Sequence, residues 1–138
     1  MSKRLMNNAK SYYETYLSVN FYDMMYVATT RNCGVGDLSV TFPAVAPAQP
    51  VDLYIMVKPQ NDINTSYFAA ATSCDKSAVD NRPFSGIYYL NFAKMEGTKI
   101  KEYFYFSTYA HEFTHILGFS SSQFRFFKDA QGNAIPEN

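Results

Sequence analysis

The chain has 138 residues, 12 basic and 12 acidic side chains that cancel to zero net charge, 47% hydrophobic residues and two cysteines. That length fits one domain, and the apolar share can fill its core without help from metals or disulfides. With no basic stripe beyond Lys99 and Lys101, nucleic acid and anionic membranes are not indicated as partners, and no apolar run approaches the length that crosses a bilayer.

Residues 1–8 lack the apolar centre of a signal peptide. Residues 9–17 read as a short amphipathic helix that packs on a sheet, with Ala9, Tyr12, Tyr13, Tyr16 and Leu17 on one side. The run 18–30 is ambiguous between strand and buried helix and is taken as extended. Gly34 and Gly36 make 31–37 a turn, and Pro43, Pro47 and Pro50 make 42–50 a surface loop of extended character. Residues 51–57 form the clearest strand, nearly unbroken in apolarity and therefore expected at the centre of the sheet. The polar loop 58–66 carries Asn64-Thr65-Ser66, an N-glycosylation sequon in a secreted chain, although three-residue patterns recur by chance. A second strand is expected at 67–74, where the alanines would also suit a helix, then a charged loop at 75–83 and a third strand at 85–92. Cys33 and Cys74 are compatible with one disulfide in an oxidising compartment or with two thiols in a reducing one. The twelve Tyr and twelve Phe read as packing residues, with no tyrosine given a catalytic role.

A single helix can run from about Thr98, the expected N-cap, to Leu117, where Gly118 stops it. Phe106, Tyr109, Phe113 and Ile116 follow helical spacing, as do Tyr103, Ala110, Thr114 and Leu117, so the helix is apolar around most of its girth and expected to be central. Within it lies His111-Glu112-Phe113-Thr114-His115. Residues four apart stack on one face, so both imidazoles aim at a common point where one zinc ion would sit roughly 2.0–2.1 Å away. Glu112 could then reach a water held by that ion, take its proton and pass it to a departing amine, which is metal-assisted hydrolysis of a peptide bond. The bland alternative is a chance meeting of two histidines on a buried helix. These are the only two in the chain, and the apolar stripe and the glycine stop agree with the motif. The order of elements gives an α/β (α+β) fold, a mixed sheet with helices packed on it.

With these residues in place, the chain resembles the leishmanolysin family of the metzincin clan of zinc metallopeptidases. The resemblance covers 9–17 loosely, then 52–57, 70–74, 82–92, the tail 124–133, and most densely 111–120, where Leu117-Gly118-Phe119-Ser120 directly follows the motif. It implies a metzincin-like twisted mixed sheet with a central active-site helix, His111 and His115 as ligands of one zinc ion and Glu112 as catalytic base. It also implies endopeptidase activity on proteins or peptides, an extracellular or cell-surface location with membrane association through parts outside this chain, and a role in cell adhesion. The strand before residues 87–92 would form the upper rim of the cleft, pairing with an extended substrate. Most metzincins place a third His where Ser121 stands; in this family it lies beyond a long insertion, and no further His, Met-turn or Cys-rich region occurs here. Residues 1–138 are therefore expected to be a single partial domain, the N-terminal catalytic subdomain of a longer secreted protein, truncated before the C-terminal subdomain. Cys33 and Cys74 would then be oxidised, not necessarily to each other, and the chain alone would be an inefficient peptidase. Two rival readings are a gluzincin-like peptidase whose third ligand is Glu137 and a non-catalytic adhesion or binding module. The intact Glu112 argues against the second.

Overall fold

A computed structural model describes residues 2–18, 31–35, 38–42, 52–95 and 102–135. The helix α1 (Ser2–Tyr16) is followed by strands β1 (Arg31–Val35), β2 (Leu38–Phe42), β3 (Tyr54–Gln60), β4 (Ala69–Lys76) and β5 (Pro83–Asn91). A 3-10 turn at Phe92–Lys94, the long helix α2 (Glu102–Ile116) and the short α3 (Ser121–Phe124) complete it. The fold is α+β with mixed strand pairing. Strands β1 and β2 form an antiparallel pair, and the second sheet has the order β3-β5-β4, with β3 parallel and β4 antiparallel to β5.

Strand β5 holds the centre because its apolar residues serve both faces. Ile87, Tyr88, Tyr89 and Leu90 are all buried, and alternate side chains of a strand point to opposite sides. Tyr88 and Leu90 join Leu5 and Ala9 of α1 and Tyr105, Tyr109, Phe113 and Ile116 of α2 in the larger core. Ile87 and Tyr89 face Cys33, Val40, Tyr54, Met56 and Cys74 on the other side. The sheet is thus covered by helices on one face and by the β1–β2 pair on the other. Gly86 makes the first packing possible: a Cβ there would lie 2.4 Å from Ile116 Cγ2 and 2.9 Å from the Thr72 carbonyl oxygen.

Several expectations are corrected. The strand expected at 51–57 begins at Tyr54, runs through Lys58 and Pro59, and lies at an edge of the sheet as described, with Val57, Lys58 and Pro59 exposed. Only its first half, where Leu53 and Ile55 meet the helices and Tyr54 and Met56 the other core, carries the apolarity that suggested a central place. Residues 31–35 are a strand and not a turn, because Gly34 sits within a regular antiparallel ladder opposite Ser39. Strand β4 extends into the supposed loop, through an irregularity between Ser73 and Lys76 that Asp75 and Ser85 close with reciprocal hydrogen bonds. The helix α1 starts at Ser2, earlier than expected. The helix α2 is not buried all round: Tyr103 is 78% exposed and only the stripe Tyr105, Tyr109, Phe113 and Ile116 is buried. The expected N-cap Thr98, the segment 19–30 and most of the proline-rich loop 42–50 lie outside the described residues.

Cys33 and Cys74 form a disulfide, with Cα atoms 5.7 Å apart, that ties the β1–β2 pair to β4 across 41 positions of sequence. Closing a loop of that length restricts the unfolded chain, so Cys33→Ala/Cys74→Ala is expected to lower the unfolding free energy by about 2–4 kcal/mol. Urea denaturation reads this as an earlier midpoint; an unchanged midpoint would mean that packing alone holds the pair.

Candidate active site

The motif runs from the buried stripe of α2, to which Phe113 belongs, onto the flank that carries His111 and His115. His111 is exposed, while Glu112 and His115 are half-buried. The helix is clamped at this level by α1, where the Tyr13 hydroxyl donates to the Ala110 carbonyl oxygen at 2.8 Å and meets Thr114 Oγ1. Thr114 Oγ1 in turn donates to the same carbonyl at 2.9 Å.

The helix ends in a Schellman turn. Gly118 N–H donates to the His115 carbonyl at 3.2 Å, Phe119 N–H reaches back to the Thr114 carbonyl at 3.1 Å, and Gly118 takes φ +108°, a value that favours glycine. The reversal brings the Phe119 carbonyl oxygen to 2.9 Å from His115 Nδ1. A carbonyl only accepts, so Nδ1 carries the proton and Nε2 keeps its lone pair. That Nε2 lies 3.1 Å from His111 Nε2, with the two rings perpendicular. Two nitrogen ligands of a tetrahedral zinc ion stand roughly 3.3 Å apart, so the pair fits such an ion. A backbone acceptor on the far nitrogen is the usual support of a metal-ligating His.

Burial is the largest influence on Glu112 and raises the pKa of its carboxyl, while His111, His115 and a hydrogen bond from the Ala71 backbone N–H hold it down. The Ala71 contact links the motif directly to β4. Beside it the Tyr88 hydroxyl is buried, without a hydrogen-bond partner among the described residues. Burial, then the Glu112 carboxylate, then Tyr109 push its ionisation well above the usual tyrosine range. Among the described residues no group of three His, Cys, Asp or Glu side chains converges on a metal position. Ser121 opens α3, and Glu137 lies outside the described residues.

All three motif residues are therefore brought together. What the motif did not disclose is its supporting shell: the Phe119 carbonyl, the Ala71 N–H and the Tyr88 hydroxyl. Two of these are backbone groups, invisible to residue identity. Tyr88 had one available signal, its place two residues before Leu90 on the helix-facing side of β5.

A family model described as leishmanolysin matches residues 16–133, spanning both the sheet and the motif helix. No curated protein and no solved structure matches the chain significantly. Carried by that match over most of its length, the chain belongs to the leishmanolysin family, a family of metallopeptidases.

Proposed function

We propose that the chain carries the catalytic half of a zinc-dependent metalloendopeptidase that hydrolyses peptide bonds in proteins. The observation that carries the reading is the 3.1 Å convergence of the His111 and His115 Nε2 atoms beside the half-buried Glu112 carboxylate. His111 and His115 would hold one zinc ion, which when bound polarises a carbonyl and acidifies water. Glu112 accepts a proton from the attacking water and returns it to the departing amine, and its raised pKa suits it to both transfers. Ala71 N–H fixes the orientation of that carboxylate from β4. Among the described residues β4 is one of the two outer strands of its sheet, and it would serve as the rim along which an extended peptide pairs.

A catalytic zinc site uses three protein ligands and no third donor converges with His111 and His115 among the described residues; we read the chain as the N-terminal catalytic subdomain of a longer protein that would supply it. The Cys33–Cys74 disulfide supports secretion or display at the cell surface, where such bonds persist. A part in cell adhesion rests on the family resemblance alone. Casein cleavage by the naturally expressed protein is expected to stop on chelation and to return when zinc is restored. Cleavage that continues undiminished after the metal is removed would refute the reading.

A further inference from the structure

We propose that Asn64 is an N-glycosylation site and that the loop holding it is built to present the sequon to solvent. Asn64-Thr65-Ser66 lies between β3 and β4. The loop is anchored from below by Asn91, whose side chain is fully buried at the end of β5. Asn91 Nδ2 donates to the Asp62 carbonyl at 2.8 Å, to Thr65 Oγ1 at 2.6 Å and to the Tyr67 carbonyl at 3.3 Å, and its Oδ1 accepts from Asp62 N–H at 3.1 Å. A buried amide with its donors and acceptor all engaged fixes the loop in one conformation.

That conformation turns the middle residue of the sequon inward and its neighbours outward. Thr65 is half-buried and donates to the Asp62 carbonyl at 3.2 Å, while Asn64 and Ser66 are exposed. The Asn64 backbone N–H is satisfied by Asp62 Oδ1 at 2.8 Å, and its side-chain amide forms no hydrogen bond among the described residues. The two side chains that a glycosyl-transferring enzyme reads, the Asn amide and the Ser hydroxyl, both face solvent. The Cys33–Cys74 disulfide supplies an independent observation, because oxidising folding compartments are where such transfer takes place.

In the reaction Asn64 Nδ2 forms a bond to the anomeric carbon of a lipid-diphosphate-linked oligosaccharide. The anomeric C–O bond breaks, the lipid diphosphate leaves, and the amide proton passes to the enzyme's base. Asn91 closes β5 at the sequon end, three strand positions or about 10 Å from Tyr88, which pairs with Ala71 beside Glu112, so the glycan would stand at the end of β4 that leads into the proposed rim.

The test is expression of the full protein through a eukaryotic secretory pathway, with peptide mass spectrometry before and after peptide-N-glycosidase treatment. Asn64 is expected to carry a glycan that the treatment releases, leaving Asp at that position. Asn64→Gln and Ser66→Ala should each remove one mobility step from the secreted protein, and Ser66→Ala spares every hydrogen bond of the Asn91 anchor. An unmodified Asn64 overturns the proposal in either of two ways. If alkylation shows Cys33 and Cys74 oxidised, the loop was presented and refused; if both are free thiols, the chain never met the enzyme.

Discussion

Glu112→Gln is expected to lower the rate of casein cleavage by about 10²–10⁴-fold, the contribution typical of a positioned general base. Gln preserves the shape of the side chain and still accepts a hydrogen bond from Ala71 N–H, so the helix and its seat on β4 should be undisturbed. What Gln cannot do is take a proton from water. Zinc content, measured by elemental analysis, should match the wild type, because Glu112 is not among the proposed ligands. A variant that cleaves at the wild-type rate would remove Glu112 from the mechanism and favour a binding role for the chain.

His111→Ala/His115→Ala is expected to abolish stoichiometric zinc binding and, with it, hydrolysis. Two imidazoles four positions apart bring their Nε2 atoms to 3.1 Å, and the Phe119 carbonyl favours the tautomer that leaves the His115 Nε2 lone pair for a metal. Removing both leaves a zinc ion with the remaining donor and water alone, far short of the three protein ligands a catalytic site uses. His111 is exposed, so its truncation opens no cavity, and circular dichroism should show the fold retained. Equal zinc content in the double variant and the wild type would place the metal elsewhere.

The parts of this molecule that are periodic were legible in the sequence. The strand around Ile87 to Leu90 and the helix through Phe113 announce themselves by a short unbroken apolar run and by helical spacing, and the i, i+4 histidines follow from the second of these. The elements that were misplaced depend on partners distant in sequence. Nearly unbroken apolarity at 51–57 suggested a strand covered on both faces, yet β5 takes that position: Ile87 to Leu90 are buried on both of its faces and it receives β3 on one side and β4 on the other. A glycine-containing run at 31–35 reads as a turn until its pairing with β2 and its disulfide to β4 are known. At the site, residue identity pointed to His111, Glu112 and His115, which the fold brings side by side. The backbone atoms that orient them emerge only when the Schellman turn and the edge of β4 are in place.

The bare backbone at Gly86 has a mechanical consequence. Ile116 rests on the strand with no side chain between them, and a single methyl group would overlap it. Helix α2 has no compressible layer beneath its C-terminal turn, and the Ala71 N–H holds Glu112 from the neighbouring strand. Glu112, the two imidazoles and β4 thus share one tightly packed seat, and in the proposed peptidase this side would serve as the fixed jaw.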